Sequence, residues 1–310
     1  MSRAAGDRVA RGAAETGDRS EPVTGGTLYV VATPIGNLAD VTLRALETLQ
    51  SVPLVAAEDT RLTARLLRRH GITVRMTSFH AQSGPERLTA LVDHLRGGDD
   101  IALVTDAGTP AVSDPGGALI DAWAGRGGTV VPIPGASAVL AAVAGSGVAG
   151  PRWAFEGFLP RSGRDRRERL ARIGADERGA VVFEGPRRVA ATLADLAAAC
   201  GRDRAGAVCR ELTKIHERID RGRLGELAEA ARDGRIPQRG EFVLVVGYDP
   251  SRGGTSRPGA AEAEGATLDA ARAEVEQLVS AGIARGEAAR RVAAASGLPR
   301  RRLYGTGHDT

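Results

Sequence analysis

Short apolar runs alternate with amphipathic segments from residue 27 to residue 150. The runs cover residues 28–32, 52–57, 101–105 and 129–133, and each has the length of a buried β-strand. The segments between them carry helical spacing. Leu88, Leu91, Val92 and Leu95 fall at i, i+3, i+4 and i+7, and Asp40 is expected to cap an earlier helix. This alternation predicts an α/β domain over residues 26–150, with functional loops at the carboxyl ends of parallel strands.

The rest of the chain divides into a second mixed unit, a linker and a small helical unit. Apolar runs at residues 180–183, 205–209 and 242–247 predict a second α/β domain over residues 151–249. Residues 250–266 are rich in Gly, Ser, Pro and Ala, which predicts a linker. Residues 267–310 combine helical spacing, a glycine-containing turn and a basic end, which predict a helix-turn-helix-like unit, although generic helical hairpins share these traits. Residues 1–25 lack apolar periodicity and are expected to form a disordered tail.

Composition excludes several classes of protein. A hydrophobic share of 42% over 310 residues supports two or three compact units. The chain has no uninterrupted window of about 18 apolar residues and no apolar h-region near its N-terminus, which argues against a membrane span or secretion and favours the cytoplasm. Cys200 and Cys209 lack CxxC spacing, so neither a disulfide framework nor a metal site is expected.

Charge permits a polyanionic partner, since the net charge is +4. Every basic residue except Lys214 is arginine, so arginine counts reflect a bias of the whole chain. A lysine in such a chain suggests a position that needs an ammonium group. Residues 161–172 hold six arginines against two acids, a candidate phosphate clamp whose alternative is a solvated helix face. Phe155 and Phe158 nearby are candidates for base stacking, although aromatic residues at this spacing more often enter a core.

Four loops that follow apolar runs contain glycine or proline. They are residues 33–37, 106–116, 134–137 and 184–188. A glycine between a strand and a helix lets backbone N–H groups approach a ligand that a Cβ would exclude. The chain has neither a P-loop pattern nor a GxGxxG after its first strand, so the common nucleotide-binding motifs do not explain these loops. One such loop would indicate a simple turn, but four of them favour a bound cofactor.

Together with residues 57–61, 155–160 and 210–214, these loops resemble the bacterial small-subunit ribosomal RNA cytidine-2′-O-methyltransferase family of the tetrapyrrole methylase superfamily. The resemblance runs from about residue 28 to residue 247, and the last unit is similar to the helix-turn-helix extension of many members. It implies two α/β domains in a tetrapyrrole-methylase-like fold, with S-adenosylmethionine in the cleft between them. It also implies a homodimer that methylates the ribose of a cytidine in 16S ribosomal RNA or in the assembled small subunit.

The resemblance assigns cofactor contacts to the first three loops. Two aspartates would offer acceptors for the cofactor's amino group, hydroxyls or sulfonium charge, while the glycines admit its bulk. The residues implied are Pro34, Gly36, Asp106, Gly108, Thr109, Asp114, Pro134, Gly135, Ser137 and Ala138.

The chain departs from the family in two places. Ala81, Gln82 and Ser83 replace an acidic residue, histidine and asparagine after His80, and Arg187 stands where the family has a histidine. These departures suggest that the chemistry depends on neither of the missing histidines.

Methyl transfer from a sulfonium requires in-line positioning and removal of the hydroxyl proton. A cation beside the hydroxyl would stabilise developing negative charge, a role that suits Lys214, Arg210 and Arg188. Glu211 or Glu184 would accept the proton if burial raises its pKa. The candidate catalytic residues are therefore Lys214, Glu211 and Glu184, and the candidate RNA-binding residues are Arg161, Arg164, Arg166, Arg167, Arg188 and Arg210.

Two other functions remain open from the sequence. A corrinoid or porphyrin C-methyltransferase would share the fold, but the arginine-rich segment and the C-terminal unit speak against it. A non-enzymatic DNA-binding regulator would act through the C-terminal unit. Deletion of the residues after Asp249 would abolish all activity of such a regulator, whereas a methyltransferase would keep cofactor binding.

Overall fold

The computed structural model describes residues 25–112, 116–252 and 260–296, together with Leu303. The first domain is built on a five-stranded sheet whose strands are β1 (Leu28–Val31), β2 (Leu54–Ala57), β3 (Arg75–Ser78), β4 (Ile101–Val104) and β5 (Val130–Ile133). All neighbouring strands are parallel, in the order β3-β2-β4-β1-β5. Their carboxyl ends therefore meet at one edge of the sheet, as expected from the sequence.

Helices cover both faces of this sheet, because its central strands are apolar on both sides. One apolar cluster joins Ala45, Leu49 and Leu67 to the sheet, and a second joins Leu95 and Trp123 to the opposite face. The helices are α1 (Leu43–Ser51) and α2 (Thr60–Arg69) on the first face, and α3 (Pro85–Arg96) and α4 (Gly117–Ala124) on the second.

The cap of α1 differs from the sequence prediction. Asp40 ends a short 3-10 helix, Leu38–Asp40, and α1 begins after Thr42, whose hydroxyl accepts a hydrogen bond from the Ala45 amide at 3.1 Å. Asp40 was therefore the wrong residue for this cap, because the 3-10 turn displaces the start of the α-helix by two residues.

The second domain carries a mixed sheet of five strands. They are β6 (Trp153–Phe158), β7 (Gly179–Glu184), β8 (Ala205–Arg210), β9 (Arg218–Arg223) and β10 (Phe242–Val246). Their order is β6-β7-β10-β8-β9, with only β6 and β7 parallel. One face is covered by α6 (Gly163–Ala175), α7 (Val189–Cys200) and α8 (Leu224–Arg232).

Helix α5 (Ala138–Ser146) joins the two domains. It follows β5 of the first sheet, yet Val139 and Ala142 share an apolar cluster with Val181, Cys209 and other residues of the second sheet. The division at residue 150, predicted from sequence, therefore separates α5 from the strands on which it packs. In packing terms the first domain ends at the exit of β5.

Two further helices follow, α9 (Ala260–Ser280) and α10 (Arg285–Ser296). They pack through a small apolar cluster that includes Val275, Val292 and Leu303. Residues 260–266, predicted to belong to the linker, are instead the first residues of α9. Residues 1–24 of the predicted tail, the centre of the predicted linker and, apart from Leu303, the residues after 296 of the predicted helix-turn-helix-like unit lie outside the described residues. No described helix combines the length and apolar character needed to cross a bilayer.

Candidate active site between the two domains

A cavity of about 320 Å³ lies between the strand exits of the two domains. The first domain contributes the loops after β1, β4 and β5, and the second contributes the ends of β6, β7 and β8 and the start of β10. Several predicted site residues line it, namely Gly108, Thr109, Ser137, Ala138 and Glu184. The remaining lining residues include Ile35, Val112, Phe158, Phe183, Cys209, Leu212 and Glu241.

The first two loops are tied to each other behind the cavity wall. Thr33 and Gly108 exchange backbone hydrogen bonds of 2.9 and 3.0 Å, and the Thr33 hydroxyl donates to the Thr105 carbonyl at 3.1 Å. Gly108 has a φ of +84°, a conformation that other residues seldom adopt. The glycine therefore lets the second loop turn back to pair with the first.

The third loop delivers the N-terminus of α5 to the cavity. Ser137 caps this helix by accepting a hydrogen bond from the Leu140 amide at 3.4 Å. A Cβ added at Gly135 would lie 3.0 Å from the Cβ of Ala32, so this loop passes close to the first strand exit. The positive end of the helix dipole consequently faces the cavity wall formed by Ser137 and Ala138.

Asp106 stands at the exit of β4, next to the cavity wall. Its side chain accepts a hydrogen bond from the Asp59 amide at 2.9 Å, and its own amide donates to Glu58 at 3.2 Å. Partial burial and the negative charge of Glu58 raise the pKa of Asp106. This carboxylate would accept a positively charged amino group well, because such a partner would relieve the repulsion from its acidic neighbours. The predicted partner Asp114 lies outside the described residues.

Lys214 forms an ion cluster that reaches the cavity through Glu241. Its Nζ lies 3.0 Å from Glu211 Oε1 and 3.1 Å from Glu241 Oε2, and Glu241 lines the cavity. Its alkyl chain crosses to the first domain, since a Cβ added at Gly36 would lie 2.5 Å from Lys214 Cγ. Glu211 and Thr213 both have positive φ, at 52° and 65°. This strained turn brings the only lysine of the chain against the first loop.

The predicted role of Glu211 as a proton acceptor required a pKa raised by burial, and this condition is not met. Burial acts to raise the pKa of Glu211, but hydrogen bonds from the Glu241 amide and from Lys214 outweigh it and leave the pKa below its ordinary value. Burial likewise opposes the charge of Lys214, yet hydrogen bonds to Glu211 and Glu241 raise its pKa. Lys214 is therefore a cation, and Glu211 does not have the raised pKa that a proton acceptor was expected to have.

The carboxylate of Glu184 is also hydrogen-bonded to other residues of its own domain. Its side chain is 1% exposed and accepts hydrogen bonds from Arg188 at 2.9 Å, the Thr192 hydroxyl at 2.6 Å and the Gly185 amide at 2.7 Å. Thr192 in turn accepts from Arg166, which forms an ion pair with Asp195 at 2.8 Å. Glu184 therefore fixes the loop after β7, and its position does not fit the predicted role of a proton acceptor.

The predicted RNA-binding arginines fall into two groups. Arg166 and Arg210 are buried, and Arg210 donates to the Arg239 carbonyl at 2.7 Å, so neither fits a phosphate contact. Arg188 is partly buried and donates to the Leu159 carbonyl at 2.8 Å. The exposed members lie in or just before the first turns of α6, namely Arg161, Arg164 and Arg167.

Sequence reasoning missed Glu241 and the Arg166–Thr192–Glu184 network. Glu241 sits beside Gly240, whose φ of +91° and proximity to Glu211 bring it to the cluster. A glycine immediately before an apolar strand was the available signal. Within the described ranges, no group of three or more His, Cys, Asp or Glu side chains is arranged to hold a metal ion.

The sequence matches a known family over most of its length. The model of the family described as Tetrapyrrole (Corrin/Porphyrin) Methylases matches residues 27–228. A Synechocystis protein named ribosomal RNA small subunit methyltransferase I is 44% identical over 280 residues, covering 90% of this chain and 96% of the relative. A protein of the same name from Xylella fastidiosa is 38% identical, covering 91% of this chain and 99% of the relative.

Solved structures show a similar fold. Cobalt precorrin-4 methyltransferase superposes with a TM-score of 0.55 at 19% identity, over 71% of this chain and 94% of that one. Uroporphyrin-III C-methyltransferase from Thermus thermophilus, complexed with S-adenosyl homocysteine, gives 0.51 at 22% identity, over 72% of this chain and 97% of that one. At these identities the likeness concerns the two-domain α/β fold alone, and it confirms the fold predicted from sequence.

Proposed function

Because this chain belongs to the ribosomal RNA small subunit methyltransferase I family, within the tetrapyrrole methylases, we propose that it transfers a methyl group from S-adenosylmethionine to the 2′-hydroxyl of a cytidine ribose in small-subunit ribosomal RNA. The name shared by the relatives supports the substrate class. The resemblance of the strand-exit loops supports the cytidine and the ribose oxygen.

The cavity between the domains carries the proposal. Its volume of about 320 Å³ falls in the range of roughly 300–1,000 Å³ found for small-molecule sites. Apolar walls from Ile35, Val139 and Leu212 suit the adenosine part of the cofactor, while Asp106 beside it suits a positively charged amino group. These features fit S-adenosylmethionine. The residues that would hold it are those of the three loops, Pro34, Gly36, Asp106, Gly108, Thr109, Pro134, Gly135, Ser137 and Ala138.

When bound, S-adenosylmethionine supplies an electrophilic methyl group on a sulfonium, which needs no protonated leaving group. The chain's own task is then to orient the ribose hydroxyl and to stabilise the negative charge that develops on its oxygen as the hydroxyl proton passes to solvent water. Lys214 suits the second task because its ammonium is paired with Glu241, which lines the cavity, and keeps its charge. Glu211 and Glu241 hold that ammonium in place.

The RNA surface is proposed to be the start of α6 and the loop before it. Arg161, Arg164 and Arg167 are exposed there. Phe158, which precedes all three in the sequence, lines the cavity. Arg187, also exposed, follows the loop that holds Pro186 at the cavity wall. These cations would bind phosphates on both sides of a nucleotide that enters the cavity.

A ribosomal substrate supports residence in the cytoplasm, and the family resemblance supports a homodimer. Exposed apolar side chains such as Leu140 and Ile215 offer contact area for a second copy. Sedimentation equilibrium tests this directly, and a monomeric mass at concentrations that support turnover would contradict the dimer.

The reaction is tested with purified protein, labelled S-adenosylmethionine and three acceptors: naked small-subunit RNA, assembled small subunits, and uroporphyrinogen. Nuclease digestion and mass spectrometry should detect 2′-O-methylcytidine from one of the first two. Transfer to the tetrapyrrole instead would support the rival C-methyltransferase. Demonstrated cofactor binding without transfer to either RNA acceptor would refute the RNA assignment.

A further inference from the structure

One aromatic side chain lines the cofactor cavity and also projects into solvent. Phe158, the last residue of β6, is 61% exposed although it contributes to the cavity wall. We propose that Phe158 is a substrate-positioning residue whose ring stacks on the base of the nucleotide to be methylated. This inference rests on the proposed function and names the part of the site that receives the nucleobase.

A β-bulge aims Phe158 at the cavity. Phe155 pairs with Val181, Phe158 pairs with Phe183, and the register shifts between Phe155 and Gly157. Residues 181 and 183 lie on the same face of β7, so the extra residue puts both β6 phenylalanines on that face as well. In a regular strand, side chains three residues apart would point to opposite faces. Without the bulge, Phe158 would lie on the face covered by α6, α7 and α8. The bulge places it on the opposite face, towards the cleft.

Gly157 makes this bulge possible. Its φ is +62°, and a Cβ added there would meet no atom of the described residues within 4 Å. The glycine is therefore required for its backbone conformation and not for space. On the outer side of the bulge, Glu156 is held by Arg169 at 2.8 Å.

The ring is held in place before any substrate arrives. Phe158 meets Phe183 edge to face at a centroid distance of 5.6 Å, and Phe183 meets Phe155 in the same way at 4.9 Å. The backbone that follows is clamped, because Arg188 donates to the Leu159 carbonyl at 2.8 Å and Arg166 donates to the Pro160 carbonyl at 2.9 Å. This explains why two arginines predicted to bind RNA are instead used inside the domain. They would preorganise the stacking residue.

The surroundings favour a nucleotide as the occupant. An exposed aromatic ring beside cationic side chains is the combination that binds single-stranded nucleic acid, with bases on the ring and phosphates on the cations. Arg161 and Arg167 are exposed close to Phe158 in sequence, and neither forms an ion pair among the described residues. A purely apolar protein partner would have no use for them.

The test compares wild type with Phe158→Leu, which keeps an apolar side chain but removes the aromatic face, and with Phe158→Tyr, which keeps the face. Leu43→Ala is the control, since Leu43 is 79% exposed and does not line the cavity. We expect Phe158→Leu to lower kcat/KM for small subunits about tenfold, the size of one lost base–aromatic stack. Phe158→Tyr and Leu43→Ala should stay within about twofold, and the Kd for S-adenosylmethionine should not change.

A second measurement does not depend on turnover. Protein loaded with S-adenosyl homocysteine is titrated with a short RNA that carries the fluorescent base pyrrolocytidine, whose emission is quenched by stacking. Wild type and Phe158→Tyr should quench it, and Phe158→Leu should not. If wild type quenches but forms no 2′-O-methylcytidine, the proposed function fails while the stacking site stands.

Three results would overturn the inference. The first is equal kcat/KM and equal quenching for Phe158→Leu and wild type. The second is a loss of S-adenosylmethionine affinity that matches the loss of kcat/KM, which would assign the ring to the cofactor. The third is a change of oligomeric mass in Phe158→Leu, which would place the ring in an interface between two copies of the chain.

Discussion

The contact between Gly36 and Lys214 joins the first loop to the catalytic candidate of the second domain, and a single methyl group tests it. A Cβ at Gly36 would lie 2.5 Å from Lys214 Cγ, 2.9 Å from Thr213 Oγ1 and 3.1 Å from Lys214 Cε. Normal carbon–carbon contact is about 3.5–4.0 Å, so Gly36→Ala must move the lysine by roughly 1 Å. That shift would break or lengthen the 3.0 and 3.1 Å ion pairs to Glu211 and Glu241.

Two opposing effects determine how much Gly36→Ala changes the free energy of unfolding. Overpacking costs about 1–3 kcal/mol, while replacing glycine by alanine stabilises by about 0.4–1 kcal/mol through the unfolded chain. A net loss of about 1–2 kcal/mol should lower the Tm by roughly 2–8 °C. Gly117→Ala is the control, because among the described residues a Cβ there meets no atom within 4 Å, and its backbone is helical. That variant should not lower the Tm.

A double-mutant cycle assigns the effect to Lys214. Of the three atoms nearest to the new methyl group, Lys214 Cγ and Cε are absent in Lys214→Ala protein, and Thr213 Oγ1 remains at 2.9 Å. Gly36→Ala should therefore cost less than about 1 kcal/mol in this background, which gives a coupling of about 1 kcal/mol. Thermal and urea unfolding measure all four proteins. Equal costs in both backgrounds would refute the contact between the domains.

Three other outcomes are expected. Because the ionised form of Asp106 would bind the cofactor's amino group, affinity for S-adenosylmethionine in calorimetry should fall as pH drops through the raised pKa, and Asp106→Asn should be weak at every pH; a pH-independent wild type would contradict this. Glu184→Gln should lower the Tm in thermal unfolding by about 4–8 °C, since it weakens a buried hydrogen-bond network that contributes about 2 kcal/mol. The control is Glu168→Gln at an exposed ion pair, which should change the Tm by less than about 2 °C. Burial raises the pKa of the Cys209 thiol to about 11 and also that of Cys200, so neither should react with a thiol reagent at pH 8 until the protein unfolds; rapid labelling of the folded protein would show that these residues are accessible.

The sequence pattern predicted the strands that are buried on both sides and missed several that are not. Strands β1, β2 and β4 lie inside the first sheet and read as apolar runs. Strand β3 has the sequence Arg-Met-Thr-Ser, and β9 consists of four charged residues with one Ile and one Gly. Both are edge strands, which need no continuous apolar run because water reaches one side or one edge.

The site divides in the same way. Which loops meet could be predicted, because parallel strands bring their carboxyl ends together and glycines mark the close approaches. The sequence could not predict which charged side chains are paired within the fold, because their partners are distant in sequence. Arg166 is paired with Asp195, 29 residues away, and Glu211 accepts a hydrogen bond from the Glu241 amide, 30 residues away. An arginine beside a loop has the same sequence signature whether it binds a phosphate or a carbonyl of its own domain.

The hydrogen bonds of Glu184 and Glu211 within the fold bear on how the proposed reaction is accelerated. Glu184 accepts three hydrogen bonds within the fold, and Glu211 has a lowered pKa because of Glu241 and Lys214. Neither is poised to remove a proton, whereas holding two reactants in line lowers a barrier by about 7–11 kcal/mol. Orientation and the Lys214 charge should therefore supply most of the rate. If so, Lys214→Arg should lose more activity than Glu211→Gln, since a planar guanidinium cannot replace a compact ammonium that lies against Gly36.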